Sequence, residues 1–191
     1  MLINLSTDIL GNPADFTGTK LYNNFVKKLN LPLNKKDIKV LKAGQEVLLS
    51  GKLYTARDAA HMKGLPIDVK GQAIYYVGPT PARKGAVIGS AGPTTSSRMD
   101  KYAPDLLNKG LSAMIGKGKR SPEVVNAIIK NRAVYFAAIG GAGAYLSKKI
   151  ISSKVVAYKE LGTEAVREIE IKDFPAVVAI DPKGKMIASM K

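Results

Sequence analysis

The chain has 191 residues, 46% of them hydrophobic, which suits one globular domain with a real core and excludes a disordered chain. It has no cysteine and one histidine, which excludes a disulfide, a thiolate nucleophile, a cysteine-held iron–sulfur cluster and a multi-histidine zinc site within it. Its formal net charge is +15, a balance that suits nucleic acid, an acidic partner or an anionic substrate, while the ~20 consecutive apolar residues of a membrane span are missing.

In chain order, Met1-Leu2-Ile3-Asn4-Leu5 lacks the basic start of a signal peptide and soon meets Asp8, so a cytoplasmic protein is expected. Leu21, Phe25, Val26 and Leu29 give residues 20–30 a short helical pattern, which Pro32 ends. Residues 35–42 read as a turn. Residues 47–55, with Ser50-Gly51-Lys52 at their centre, read as strand, turn, strand. A helix is expected over 56–63, opening at Arg57-Asp58. A strand over 73–77 stops at Gly78-Pro79, and a second, over 86–91, stops at Gly92-Pro93. Each proline removes a ladder donor and fixes φ, so each strand must end there. Loops that follow strand ends are where α/β proteins place ligands.

The spacing then predicts a helix over 99–107, closed by Gly110, and a short strand over 113–115 that runs into Gly116-Lys117-Gly118-Lys119. Ser121-Pro122 is a helix start, with Ser as cap and Pro in the first turn, and the helix reaches Asn131. A buried strand over 133–139 and a helix over 141–150 follow. Strands are expected over 154–158, 165–171 and 176–180, then a turn at Asp181-Pro182-Lys183-Gly184 and a returning segment over 185–188. Strands and helices interleave, so the class is mixed α/β.

The densest chemistry lies in Gly92-Pro93-Thr94-Thr95-Ser96-Ser97-Arg98-Met99. Two threonines, two serines, one arginine and the amides of a turn can converge on one small anion. A guanidinium recognises a carboxylate with two parallel hydrogen bonds. The plainer reading is a turn and a capped helix with Arg98 exposed. Arg57 sits at a helix start, a poor place for a cation in the field of the helix dipole, which favours a functional role. Asp58 is either a helix cap or a group that orients Arg57 or His61. Arg57 and His61 are four residues apart on one helix, so they share a face. A lone histidine is more often structural than functional.

Arg57-Asp58-Ala59-Ala60-His61, Gly78-Pro79-Thr80-Pro81, the run from Gly89 to Asp100, and Gly116-Lys117-Gly118 occur in that order. In these motifs the chain resembles the β subunit, or C-terminal domain, of the iron–sulfur-dependent class I fumarases and the related tartrate dehydratases. The resemblance runs from about Pro32 to about Gly184. It implies a domain over 32–191 and an N-terminal extension over 1–31. It also implies a single-domain α/β fold of the three-layer β/β/α swivelling type.

The resemblance further implies a hydro-lyase that interconverts fumarate and L-malate. Its [4Fe-4S] cluster is held by cysteines of another polypeptide, where the open iron acts as a Lewis acid. No metal would bind this chain, so a cysteine-bearing α subunit is expected, in a higher-order hetero-oligomer. Arg57, Arg98 and Lys117 correspond to ligands of the substrate carboxylates, and Thr94, Thr95, Ser96 and Ser97 to the remainder of the substrate-binding run. Thr94 corresponds to the proposed base at the substrate carbon and needs an activating neighbour. His61 corresponds to an active-site histidine. Two arginines and a lysine suit the two charges of a dicarboxylate.

Gly78-Pro79-Thr80-Pro81-Ala82 and Asp173-Phe174-Pro175-Ala176-Val177-Val178 point to the fumarase branch. A tartrate dehydratase β subunit is the alternative. A non-catalytic basic binding module is a further one, and it leaves the ordered motifs unexplained. Nucleic acid is an unlikely partner, because the lysines are dispersed and eight tyrosines and four phenylalanines form no stacking ladder.

Overall fold

Strands β1 (Lys27–Leu31), β2 (Glu46–Thr55), β3 (Ala73–Tyr75), β4 (Ala113–Gly116) and β5 (Val134–Ala137) lie side by side in that order, all parallel. They belong to a computed structural model that describes residues 26–190. Two further strands, β6 (Ile150–Ala157) and β7 (Val166–Ile180), run antiparallel to each other. β7 pairs with β5 and also with β2, so the seven-stranded sheet curls back on itself. The helices are α1 (Lys35–Lys39), α2 (Asp58–Lys63), α3 (Ala103–Asn108), α4 (Pro122–Asn131) and α5 (Gly143–Ser147). The chain is thus a single mixed α/β domain.

Alternate residues of β3, β4 and β5 face opposite ways, and both sets are buried. Tyr75, Ile115 and Phe136 join Leu49, Leu53, Ile169 and Phe174 in one core. Ile74, Met114 and Tyr135 join Leu107, Val124 and Ile128 of the helices in the other. Burial on both faces is why these strands read as short continuous apolar runs. Connections between them carry the expected signals. Ser121 caps α4 by accepting the Val124 N–H, with proline in the first turn. Gly110, at φ 99°, follows α3 and donates to Leu107 O.

Several expected elements differ. Instead of a helix through residue 30, Lys27–Leu31 is a strand, because Leu29 and Leu31 alternate into the core. Residues 20–25 and the amino-terminal stretch lie outside the described residues. Residues 35–42 contain a short helix, α1, capped by the Asn34 side chain. Residues 47–55 are one strand and not a hairpin. Gly51, at φ 114°, makes a bulge where an added Cβ would strike the Leu31 backbone of β1. The two expected strands over 165–171 and 176–180 are one continuous β7, and the Asp173 N–H crosses to Ser50 Oγ opposite that bulge.

Residues 86–91 form a loop. Gly85 turns at φ 81°, Gly89 packs on the backbone of residue 80, and only Ile88 and Ala91 reach the core. The helix expected over 99–107 is broken into a 3₁₀ turn, Ser96–Met99, and α3. Pro104 has no N–H to continue the ladder. The helix expected over 141–150 is only α5, since Ile150 already opens β6 and is buried.

Candidate active site

Arg57 follows β2, Gly78 lies just beyond β3, Lys117 follows β4 and Gly140 lies just beyond β5. The four strands are parallel neighbours, so these residues line one edge of the sheet at the strands' carboxyl ends. That is where α/β folds build ligand sites. Beyond Gly78 the chain makes an excursion and returns antiparallel, with Val77 bridging Pro93 and the Thr94 N–H donating to Tyr76 O at 2.7 Å. Thr95 then bridges Lys117, and the Ser96 N–H donates to Lys117 O at 2.8 Å. The Gly-Pro pairs therefore bring residues 94–98 across the ends of β3 and β4.

The two arginines of the sequence reading meet at one carboxylate. Asp58 Oδ1 accepts from Arg98 Nε at 2.7 Å and its Oδ2 from Arg57 Nε at 3.4 Å. Arg57 Nη2 reaches Glu164 at 3.3 Å, and the other Glu164 oxygen accepts the Ala59 N–H at 2.8 Å near the start of α2. Burial opposes ionisation of Asp58. Its backbone hydrogen bond and the two arginines outweigh this and hold the carboxyl below its usual range. These two acids explain how Arg57 tolerates the N-cap position of α2. The Arg57 side chain lies over Gly78, where an added Cβ would fall 2.5 Å from Nη1.

The other site residues divide by depth. Thr95, Ser97, Arg98 and Lys117 are exposed, Thr94 is half-buried and Ser96 is fully buried. Ser96 Oγ lies 2.9 Å from the Tyr135 hydroxyl, in space that a side chain at Gly116 would fill. Thr94 Oγ has no hydrogen-bond partner among the described residues, so no base is hydrogen-bonded to it. Lys117 leans toward the β5 end, its Cδ 3.8 Å from where a Cβ at Gly140 would sit. It lies on the flank of the 94–98 run away from Asp58.

His61 is 4% exposed. Its Nδ1 donates to Arg57 O at 2.8 Å, and its ring lies between those of Tyr76 and Tyr102. Burial is the main cause of its lowered pKa, so the ring is neutral near pH 7. This geometry makes it a support for the Arg57 backbone. An open cleft of about 260 Å³ beside it is lined by Asp58, Ala59, Met62, Arg98, Lys101, Tyr102 and Glu164. Of the sequence-derived site, only Asp58 and Arg98 line it. Glu164 was not anticipated, because it lies 105 residues from the amide it caps.

The donors along this edge are guanidinium, ammonium, hydroxyl and amide groups, which suit an anion. No group of histidine, aspartate and glutamate among the described residues could hold a metal ion, and the chain has no cysteine. An iron–sulfur cluster does not fit these residues.

A family described as "Fumarase C-terminus" matches residues 11–190. The chain belongs to this family. It is 42% identical over 147 residues to "Fumarate hydratase class I, aerobic" of Escherichia coli K12, a match covering 71% of this chain and 27% of that protein. It is 39% identical over 170 residues to "Putative L(+)-tartrate dehydratase subunit beta" of Methanocaldococcus jannaschii, covering 81% of this chain and 87% of that protein. The chain thus spans about a quarter of the length of the fumarate hydratase. The family match begins at residue 11, upstream of Pro32, where the resemblance was expected to begin. No helix among the described residues is long and apolar enough to cross a membrane.

Proposed function

We propose that this chain is the β subunit of a hydro-lyase that interconverts fumarate and L-malate by reversible hydration. The observation that carries the reading is the shared carboxylate of Asp58, which holds Arg57 and Arg98 together beside the 94–98 run. In the proposal, Arg57 and Arg98 bind one end of the dicarboxylate and Lys117 the other. Thr95 and Ser97 donate from the exposed face of the turn. Hydration adds a hydroxyl and a proton across the double bond, and dehydration takes the proton back. In the proposal Thr94 contacts that carbon, and His61, whose buried Nε2 has no hydrogen-bond partner among the described residues, is the second candidate for proton transfer. Among the described residues no base is hydrogen-bonded to Thr94, which fits a site completed by another subunit.

The [4Fe-4S] cluster belongs, in this proposal, to a cysteine-bearing α subunit, since the donors here suit an anion instead. The domain, residues 32–191, takes the three-layer β/β/α swivelling form, with residues 1–31 an extension that lends the edge strand β1. The α and β chains form a cytoplasmic hetero-oligomer. The second reading, a tartrate dehydratase β subunit, is favoured by one fact: the relative of that name is matched over 87% of its length. The test is anaerobic assay of the chain alone, then with its α subunit and a reconstituted cluster, on fumarate, L-malate and tartrate. The isolated chain is expected to be inactive and the assembly to hydrate fumarate. Robust turnover by the isolated chain overturns the subunit reading, and turnover of tartrate alone selects the second one.

A further inference from the structure

A polar cluster that the proposed clamp does not use lies beneath the 94–98 turn. The Arg120 side chain is fully buried, and its Nε donates to Asp100 Oδ1 at 2.7 Å. The other Asp100 oxygen accepts the Ser121 N–H at 2.6 Å. Arg120 Nη1 lies 3.3 Å from Met114 Sδ, and its Cζ sits 5.4 Å and 5.0 Å from the ring centres of Tyr76 and Tyr135. A buried ion pair is weak evidence for stability, because removing two charges from water offsets their attraction. Its value must be sought in what it holds in place.

Asp100 ends the Ser96–Met99 turn, its N–H donating to Ser97 O. Arg120 ends the loop that starts at Lys117. The ion pair therefore fastens the far end of the turn that carries Arg98 to the far end of the loop that carries Lys117. The near ends are fastened by Tyr135, whose hydroxyl lies 2.9 Å from Ser96 Oγ and 3.0 Å from Gly118 O. Burial pushes the Tyr135 hydroxyl up to about 12, so it keeps its proton throughout the physiological range. It can donate to Gly118 O while accepting from the Ser96 hydroxyl. Between the two fastenings runs the backbone bond from Ser96 to Lys117.

We propose that the Asp100–Arg120 pair and the Ser96–Tyr135–Gly118 contact are positioning elements that set the spacing between Arg98 and Lys117. They thereby select the length of the dicarboxylate that the two cations span. This rests on the functional reading above. Ser96, although inside the hydroxyl-rich run, acts here through Tyr135 and not on the substrate.

The primary variant is Tyr135→Phe, which removes one hydroxyl and keeps the ring against Arg120. Arg120→Lys keeps the charge and loses the fork. Competitive inhibition by malonate, succinate and glutarate is measured on the assembled enzyme, beside hydrogen exchange and thermal unfolding of the full chain. For Tyr135→Phe we expect the KM for fumarate to rise about tenfold with a smaller change in kcat, as for one lost buried hydrogen bond. The ratios of inhibition constants among the three diacids should flatten, which simple destabilisation would not cause. Ser96→Ala should add nothing to Tyr135→Phe, because both remove the same contact. Exchange should quicken at residues 94–98 and 117–118 alone.

If the wild-type assembly turns over none of the three substrates, the functional reading fails. The exchange measurement then still decides the positioning. Unchanged exchange in both segments, or diacid ratios unchanged in both variants, overturns it.

Discussion

A methyl group at residue 78 tests whether Arg57 belongs to a substrate clamp. Gly78 has no left-handed φ, so alanine meets no backbone strain there. Its Cβ would fall 2.5 Å from Arg57 Nη1, 2.8 Å from Cδ and 3.3 Å from Cζ. Carbon contacts settle near ~3.5 Å, so the guanidinium must retreat by about 1 Å. Its contacts with Glu164 at 3.3 Å and Asp58 at 3.4 Å are already long and would break. The side chains of this trio are 22%, 23% and 30% exposed, so after solvent screening the lost ion pairs amount to roughly 1 kcal/mol. Replacing glycine at a permitted φ returns about 0.4–1 kcal/mol through the unfolded chain. Gly78→Ala should therefore leave Tm within a few degrees of wild type. A displacement of about 1 Å in a positioning group costs on the order of a hundredfold in rate. The assay is loss of fumarate absorbance by the assembled enzyme, run beside thermal unfolding. A kcat/KM within threefold of wild type at unchanged Tm would remove Arg57 from the clamp.

Arg98→Met should cut kcat/KM by about a hundredfold or more, as for a charge-assisted bidentate contact to a carboxylate. Arg98→Lys should recover little, because an ammonium cannot reproduce the fork. Neither should move Tm much, since the side chain is 51% exposed; activity within fivefold of wild type makes Arg98 a surface residue. His61 should make stability fall with acid. Its pKa is lowered by burial from an ordinary 6.5, so the unfolded chain takes the proton first. The stability it contributes is whole above that value and is lost as pH falls toward the folded pKa. Asp58, also lowered, from 3.8, adds a further loss as pH falls below that value. His61→Asn, which keeps an N–H for Arg57 O, should flatten the upper part of the Tm–pH curve. An unchanged profile would show that His61 is not buried in solution.

What was legible in the sequence was local. The Ser121 cap, the Gly110 stop and the end of β3 before Gly78-Pro79 act within a few residues, and each stands close to where it was expected. The strand β3 and the loop at 92–98 follow from such signals, and the site's edge follows from them in turn. The bulge at Gly51 was not legible, because glycine there answers to Leu31 on a neighbouring strand. Glu164 and the Asp100–Arg120 pair gave no signal either. Charged residues are frequent in this chain, and only the fold shows which are buried together. The 86–91 segment misled because Ile88 and Ala91 anchor a loop, and single anchors mimic alternation over so short a span.

The acids of the site sharpen what the clamp can do. Arg57 and Arg98 carry two positive charges, and Asp58 and Glu164 return two negative ones at contact distance. In the proposed function a dianion approaching that end meets a balanced cluster, and its attraction comes from Lys117, Lys101 and the positive field of the whole chain. The acids instead hold the guanidinium planes in place. Arg98 spends only Nε on Asp58, which leaves its terminal amines to point elsewhere. A fork held before the ligand arrives loses less freedom on binding. In the proposed reading the arginines therefore orient the carboxylate they bind, the Arg98–Lys117 spacing sets the length of the diacid, and the lysines supply the salt-sensitive attraction.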